Sequence, residues 1–364
     1  MKPRAVHPAK QRTVGVIFSR DRAMQLDAML RSLLRHCADP SLPRLYVLYA
    51  ASSPQFRRQY AVLERYWRNL LPITFHVERQ FRSDLLGILG LPLSPDRVPG
   101  SPLGRAVHRL SGLRGLVSFV AKPWEFVVFL VDDSVFVRRF SLGHAVQALR
   151  SRPQAIGFSL RLGRNTTMCY ALDCPQTLPP FTPVEGGIMV FDWTAADCDF
   201  GYPLELSSSI YTASTVAGLL SAEEYSNPNT LESRMWVAAA DFKMKGRQPA
   251  LLCYTESVAF CNAVNRVQTT FENRSGDSSG LSATALANSF DSGLRIDTDA
   301  LSGFTPIACH DDTPFTFVNG SSEDDGQSPC GNDERERQRG YALEVCGSTA
   351  LTTCHRDSTG TPED

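Results

Sequence analysis

The stretch FVVFLVDDSVF, residues 126–136, joins the most apolar run of the chain to two adjacent aspartates. The run is too short to cross a bilayer and predicts a buried strand from Glu125 to Val131. In an open α/β sheet, ligands bind beyond the carboxyl ends of the strands. Asp132 and Asp133 are therefore well placed for chemistry.

Two carboxylates beside a buried strand are costly unless a cation compensates their charge. Mg²⁺ and Mn²⁺ are suitable cations, because they take one or two protein carboxylates and complete their shell with phosphates and water. The pattern therefore predicts Mn²⁺ or Mg²⁺ at Asp132 and Asp133, with a nucleotide diphosphate as a further ligand. The alternative is that the two aspartates cap a turn or a helix.

The chain on either side alternates short apolar runs with amphipathic segments. This alternation predicts an α/β fold with a mostly parallel sheet covered on both faces. We also expect a flexible N-terminus over residues 1–12, one domain over 13–318 and a disordered polar tail over 319–364. The predicted strands are Thr13–Phe18, Arg44–Tyr49, Ile73–Val77, Ala155–Leu160 and Gly187–Asp192, and the predicted helices are 26–34, Gln55–Leu70, Phe81–Leu89, Leu110–Val120, Ser207–Leu220 and Asn229–Ala240.

The composition excludes several classes of protein. The 364 residues are 43% hydrophobic and 21% charged, which is typical of a globular enzyme rather than a disordered or fibrous chain. A net charge of −1 gives no overall attraction to nucleic acid or to an anionic membrane. The ten cysteines show no Cys-x-x-Cys spacing, so we expect reduced thiols rather than a zinc cluster or a redox pair. No signal peptide or transmembrane segment is indicated, so we expect a cytoplasmic protein, with peripheral contact to a membrane left open.

The surroundings of the acidic strand end resemble the GT-A superfamily of glycosyltransferases, in particular its family 2-like members. The resemblance rests on Ser19-Arg20-Asp21-Arg22 after the first strand, the Leu-rich helix that follows, and Asp132-Asp133-Ser134. It covers residues 13–315 and implies a Rossmann-like α/β/α sandwich that moves a sugar from a nucleotide diphosphate to an acceptor hydroxyl with a divalent metal. Because Asp-Asp-Ser departs from the Asp-x-Asp motif of the superfamily, the roles of the two carboxylates toward metal and toward ribose or sugar stay open.

The resemblance also implies a donor site near the first loop. It places Arg20 and Asp21 near the nucleotide base and ribose, and Asp84 and Asp132 are further donor-binding candidates. Arg266 is a candidate for the diphosphate, because a guanidinium binds phosphate oxygens bidentately. A hydrogen-bonded loop is the alternative role for the segment around Arg266.

Candidates for sugar binding follow the acidic motif. Glu185-Gly186-Gly187 precedes a predicted strand, and glycines let the backbone approach a ligand closely. In the superfamily a Gly-rich segment after the acidic motif commonly lines the sugar pocket, and a plain tight turn is the alternative. Asn229, at the entrance of a predicted helix, is a further substrate-binding candidate, and Asn229 or Thr230 is expected to cap that helix.

Glu232 lies in the expected first turn of the same helix, where the resembling inverting enzymes use an acid as general base. A structural role at the helix start is the alternative, and without a base at this position retention of stereochemistry stays open. His310 completes the predicted metal site with Asp132 and Asp133, because superfamily members bring a histidine from the C-terminal end of the domain to the metal. A surface or packing role is the alternative for His310.

Two other functions fit parts of the sequence. A nucleotidyltransferase would use similar acids but should carry a Gly-rich phosphate loop after the first strand, and Ser19-Arg20-Asp21-Arg22 lacks glycine. A catalytically silent nucleotide- or carbohydrate-binding protein of the same fold is supported by the Asp-Asp-Ser departure. A Rossmann dehydrogenase is disfavoured because no G-x-G-x-x-G follows the first strand. The sequence does not determine the donor, the oligomeric state, or whether the acceptor is a glycan, a lipid-linked molecule or a small molecule.

Overall fold

The computed structural model describes residues 12–91, 124–271, 274–276 and 278–320. These residues belong to one compact unit, Met1–Ser322. The predictions for the N-terminus through residue 11, for a helix at Leu110–Val120 and for the tail after residue 320 lie outside the described ranges. The domain limits of 13–318 stay a prediction.

A nine-stranded mixed sheet runs through the centre of the fold. Seven of its nine strands run in one direction, and the other two are antiparallel to them. The predicted α/β fold with a mostly parallel sheet is therefore confirmed. In spatial order the strands are β3 (Ile73–Val77), β2 (Arg44–Ala50), β1 (Thr13–Arg20), β4 (Phe126–Val131), β11 (Ser208–Thr212), β6 (Ala155–Ser159), β12 (Ala250–Tyr254), β10 (Ile188–Asp192) and β9 (Thr182–Val184), of which β11 and β10 are the two reversed strands.

Three small sheets flank the central one. One of them matters for the site, because its first strand follows the acidic pair directly and its last strand begins with His310. The strands of this sheet lie in the order β15 (His310–Asp311), β13 (Ala259–Asn262) and β5 (Ser134–Phe136). The other two sheets pair β14 (Leu294–Ile296) with β16 (Phe317–Asn319) and β7 (Met168–Cys169) with β8 (Cys174–Pro175).

Helices cover both faces of the central sheet. On β4, Phe126 and Val128 pack into the core on one face, while Val127 and Phe129 pack into the core on the other. Each such buried side chain contributes roughly 1.5–3 kcal/mol, which explains why the central strand is apolar on both faces. The first face carries α1 (Ala23–His36), α2 (Pro54–Trp67), α4 (Leu142–Arg150) and α7 (Ala283–Asp291), and the second carries α3 (Phe81–Leu89), α5 (Ala213–Ala222) and α6 (Pro228–Met244). Within the described ranges, none of the helices is both long and apolar enough to cross a membrane.

The predicted helix over Ser207–Leu220 is wrong in its first part. Ser208–Thr212 form strand β11, and α5 begins at Ala213. β11 lies antiparallel between β4 and β6, with Ile210 opposite Val128. Pairing with strands that are distant along the chain decides this conformation, and the Ser-Ser-Ile-Tyr-Thr composition suits a pleated surface.

The start of α6 also differs from the prediction. Asn227 is the N-cap, rather than Asn229 or Thr230, and Pro228 occupies the first helical position. Thr230 N donates to Asn227 Oδ1 at 2.9 Å, and Asn227 N donates to Thr230 Oγ1 at 3.1 Å. Proline favours the first helical position because its φ is already helical and its missing N–H is not needed there. Glu232 is therefore the fifth residue of the helix.

Candidate active site

Four strands of the central sheet bring their loops to one edge, which we call the carboxyl edge. β1, β4 and β6 end there, and the antiparallel β11 begins there, since Ser208 lies opposite Leu130 near the end of β4. Neighbouring strands are about 4.8 Å apart, so side chains that follow them can meet.

Asp132 and Asp133 form the turn between β4 and β5, and both accept hydrogen bonds from Arg22. The Arg22 Nη1 donates to Asp132 Oδ1 at 3.1 Å and to Asp133 Oδ2 at 2.7 Å. The second oxygen of Asp132, Oδ2, accepts from Ser19 Oγ at 2.9 Å and from Arg20 N at 3.1 Å. The end of β1 and the loop after it therefore close directly on the acidic strand end.

The charges of this group compensate one another. Burial raises the pKa of Asp132 to about 6, while Arg22 opposes this shift and Asp133 adds to it. Burial alone would lower the pKa of Arg22, but the two carboxylates outweigh this effect and raise it above the ordinary value. Arg22 therefore stays charged and is the counter-cation of the pair.

The predicted metal ligands do not form a metal site in this arrangement. Asp132 and Asp133 each accept from Arg22, and His310 Nε2 lies 3.1 Å from Arg161 Nη1. A guanidinium at hydrogen-bonding distance takes the position of a metal and removes the charge that would attract one. Among the residues that the structure describes, no group of three or more His, Cys, Asp and Glu side chains is arranged to hold a metal ion. The side chains as arranged do not fit Mn²⁺ or Mg²⁺.

Arg161, shortly after β6, is a second buried arginine of the carboxyl edge. Its Nη2 donates to Glu205 Oε2 at 2.9 Å, and the two side chains are 6% and 5% exposed. Glu205 also accepts hydrogen bonds from Ser207 N and Ser209 Oγ at the start of β11. Removing either partner would leave an uncompensated buried charge and would therefore destabilise the folded chain.

The small sheet brings His310 to Arg161. β13 and β15 pair in parallel, with His310 opposite Cys261, and Arg161 Nη1 lies 3.5 Å from Cys261 Sγ. Burial and the neighbouring Arg161 lower the pKa of His310 to about 3, so the imidazole is neutral at physiological pH. Since a guanidinium can only donate, His310 Nε2 accepts the hydrogen bond.

Glu232 reaches the same network from α6. Its carboxyl group is hydrogen-bonded to the phenol of Tyr202 and to the backbone of Leu206. Burial and the charge of Glu205 raise the pKa of Glu232 to about 7, although Arg161 and the two hydrogen bonds oppose the shift. A carboxyl group with a pKa near 7 is suited to accept a proton at neutral pH.

A stacked aromatic pair adjoins Glu232. Tyr202 stacks on Trp236 with ring centroids 5.1 Å apart and an interplanar angle of 23°. Trp236 lies four residues after Glu232, so both side chains occupy the same face of α6. The indole is 49% exposed. Tyr202 therefore joins the exposed Trp236 to the carboxyl group of Glu232.

These groups form one continuous set along the carboxyl edge, which we call the polar line. Ser134, directly after the acidic pair, connects its two halves, because its Oγ lies 3.7 Å from Cys261 Sγ. The members of the polar line are Arg22, Asp132, Asp133, Ser134, Cys261, Arg161, His310, Glu205, Glu232 and Tyr202. The predicted metal ligands and the predicted base thus belong to one site.

Two donor-binding candidates of the first loop also lie at this site. Arg20 donates its backbone N–H to Asp132, and its side chain is exposed. Asp21 adopts a φ of +54°, and its Oδ1 accepts from Ser52 N at 2.7 Å. Asp21 therefore fixes the loop after β1 to the end of β2.

Asp84 belongs to a helix start, whereas Arg266 directly follows Asn265, a partner of Arg22. Asp84 Oδ2 accepts from Arg79 N at 2.7 Å and from Gln80 N at 2.8 Å, so its carboxylate holds the start of α3. Arg266 is exposed, and its Nη1 lies 3.4 Å from Phe271 O. The contacts of Asp84 are those of a helix start rather than of a ligand site.

The predicted sugar-binding segment Glu185-Gly186-Gly187 is not brought to the acidic pair. Gly186 and Gly187, with φ of +75° and +72°, form with Glu185 the tight turn between β9 and β10. β10 lies four places from β4 in the sheet, which corresponds to about 19 Å at the usual strand spacing. Asn229 lies in the first turn of α6, where its carbonyl accepts from Ser233 Oγ at 3.1 Å.

Several residues of the site were not predicted from the sequence. Among them are Arg22, Arg161, Glu205, Tyr202 and Trp236. Arg22 follows from charge balance, since a buried acidic pair requires a cation and the first loop carries an arginine beside the predicted donor contacts. The other four come from three segments, around Arg161, around Tyr202 and Glu205, and around Trp236, and only the fold brings these segments together.

Comparison with known proteins identifies a relative in sequence. The chain is 23% identical over 283 residues to the bifunctional glycosyltransferase pgtA of Dictyostelium discoideum, a match that covers 71% of this chain and 32% of the relative. The resemblance to glycosyltransferases is confirmed. The chain spans about a third of the length of this relative. No family model matches the chain.

Solved structures of glycosyltransferases are similar to the glycosyltransferase-like chain as well. S. aureus TarS 1-349 matches with a TM-score of 0.35 and 13% identity, over 68% of this chain and 59% of that one. Mouse xyloside xylosyltransferase 1 matches with a TM-score of 0.31 and 12% identity, over 64% of this chain and 82% of that one.

Proposed function

We propose that this chain is a glycosyltransferase that moves a sugar from a nucleotide diphosphate donor to an acceptor hydroxyl. The observation that carries the proposal is the polar line, which places an acidic pair and a carboxyl group with a raised pKa on one edge of the sheet. Ligands of open α/β sheets bind at this edge. The sequence relative pgtA supports the reaction class.

Glu232 is the proposed general base. Its ionised carboxylate takes the proton of the acceptor hydroxyl while the acceptor oxygen attacks the anomeric carbon and the bond to the diphosphate breaks. A single displacement of this kind inverts the configuration at the anomeric carbon. The charge of Glu205 favours the protonated form of Glu232 and that of Arg161 opposes it, so together they help to set the pKa near 7.

The donor is proposed to lie over the loops after β1 and β4. Asp132 and Asp133 offer carboxylate oxygens to ribose or sugar hydroxyls, and Arg20 and Asp21 adjoin the nucleotide. The predicted role of Arg266 at the diphosphate stays a prediction. Mn²⁺ or Mg²⁺ also stays a prediction from the sequence, and no step proposed here uses a metal. The same holds for the predicted cytoplasmic location.

The acceptor is proposed to be a glycan. An exposed indole gives a flat apolar surface on which the C–H face of a sugar ring can pack. Trp236 offers such a surface one helical turn from Glu232, so a sugar packed on it places a hydroxyl close to the proposed base.

The test is a nucleotide-sugar panel, including UDP-GlcNAc, measured for binding by calorimetry and for transfer to oligosaccharides by release of the nucleotide diphosphate. We expect one donor to bind and Glu232→Gln to lower the rate of transfer by about 10²–10⁴-fold without weakening donor binding. Glu224→Gln is the matched control, because Glu224 lies on the surface with an 80% exposed side chain.

The outcomes separate the rival functions. Binding of no nucleotide sugar would reject the transferase. Nucleotide or glycan binding without turnover would instead support a catalytically silent binding protein of the same fold. Equal loss of transfer in both glutamate variants would reject Glu232 as the base.

A further inference from the structure

Arg22 is held from two sides at the acidic strand end. On one side its Nη1 donates to Asp132 Oδ1 at 3.1 Å and to Asp133 Oδ2 at 2.7 Å. On the other side its Nε donates to Asn265 Oδ1 at 2.9 Å, and its Nη2 donates to Asn265 O. The planar guanidinium therefore bridges the acidic pair and the segment after β13.

The groups that hold Arg22 are themselves fixed. The backbone N–H of Arg22 donates to Oη of Tyr60, a buried residue of α2, at 3.2 Å. Asn265 Nδ2 donates to Leu281 O at 2.6 Å, and Gln25 Nε2 lies 3.3 Å from Asn265 Oδ1. Arg22 is therefore built into the fold and is not a surface side chain that happens to fold back.

A divalent metal at this pair would have to displace the guanidinium. Arg22 is 9% exposed, so leaving the pair means breaking the contacts with Asn265 as well. Two cations held by the same two carboxylates would repel each other strongly in this buried setting. Removal of the arginine would leave the acceptors of Asn265 without their charged donor.

We propose that the Arg22 guanidinium is the resident cation of the acidic strand end, in the place where the sequence predicts Mn²⁺ or Mg²⁺. With Arg22 in place, Asp132 and Asp133 bind no divalent metal. The inference goes beyond the proposed function and does not rest on it, because metal binding is measured without any sugar or nucleotide.

The test is a titration of the full chain with MnCl₂ alone. Binding is measured as the loss of the electron paramagnetic resonance signal of free Mn²⁺. We expect the wild type to show no saturable site. We expect Arg22→Gln to gain one saturable Mn²⁺ site, and Arg22→Gln with Asp133→Asn to lose that site. Arg20→Gln is the matched control, because it removes an exposed arginine of the same loop and should leave Mn²⁺ binding as in the wild type.

A single saturable Mn²⁺ site in the wild type that disappears in Asp133→Asn would overturn the inference. So would an Arg22→Gln variant that folds and binds Mn²⁺ no better than the wild type.

If Arg22→Gln does not fold, Arg22→Lys replaces it, since it keeps the charge and is expected to exclude Mn²⁺ as the wild type does. Mn²⁺ binding by the lysine variant would show that a cation at this position does not exclude the metal. Neither result depends on glycosyl transfer, so this inference and the proposed function are tested independently.

Discussion

The phenol of Tyr202 hydrogen-bonds the carboxyl group of Glu232 while its ring stacks on Trp236 at 5.1 Å. One side chain therefore contacts both the proposed base and the proposed acceptor surface. Because the two contacts use different parts of the tyrosine, they can be removed separately by substitution.

The first prediction concerns pH. Burial raises the pKa of Glu232 to about 7, and the bond from Tyr202 opposes that shift. A base must be ionised, so the rate of transfer should rise with pH through about 7 and then level off. Tyr202→Phe removes the hydrogen bond but keeps the ring, so the rising limb should move to higher pH. Rate profiles of kcat/KM for the two proteins measure this, and coincident profiles would contradict it.

The second prediction concerns the acceptor surface. Trp236→Ala should raise KM for a glycan acceptor by about tenfold, with a smaller effect on kcat, because it removes packing area rather than the base. Val237→Ala is the control, since Val237 is the next residue of α6 and is 64% exposed. Initial rates at varied acceptor concentration give KM and kcat for each variant. An unchanged KM in Trp236→Ala would reject stacking on the indole.

The third prediction concerns stability. Arg161→Gln leaves Glu205 charged and buried and should lower the free energy of unfolding by about 3–5 kcal/mol. Arg150→Gln breaks the Arg150–Glu125 pair, whose side chains are 37% and 42% exposed, and should cost no more than about 1 kcal/mol. Urea unfolding followed by circular dichroism compares the two. Equal losses of unfolding free energy in Arg161→Gln and Arg150→Gln would contradict the prediction that burial makes the Arg161–Glu205 pair the more important of the two.

The fourth prediction tests strand β11. A Cβ atom at Gly157 would lie 2.7 Å from the ring of the buried Tyr211, so Gly157→Ala should destabilise the chain by about 1–3 kcal/mol. Gly218→Ala lies in helix α5 with no atom within 4 Å of the added Cβ, and should stabilise by about 0.5–1 kcal/mol. Thermal unfolding of both variants is the measurement. A neutral Gly157→Ala would contradict the pairing of β11 with β6.

The fold was predictable wherever the local pattern was strong. Ile73–Val77 has the predicted bounds, and the helix at Phe81 begins at the predicted residue, because apolar spacing and turn residues mark these positions. Ser208–Thr212 was mistaken for helix, because its conformation depends on strands far away in the chain. Local spacing carries no information about such partners.

By itself, the sequence determined that an apolar strand would carry Asp132 and Asp133 to an edge where ligands bind, and that this pair would need a cation. Burial of apolar side chains and the cost of burying charge make both conclusions local. The tertiary structure decided which cation neutralises the pair and which residues surround it. Arg22 and Asn265 are 243 positions apart, and Glu232 reaches Tyr202 and the Arg161–Glu205 pair only through packing of α6 on the sheet. Contacts between distant segments depend on the summed packing of the whole sheet, so no single motif encodes them.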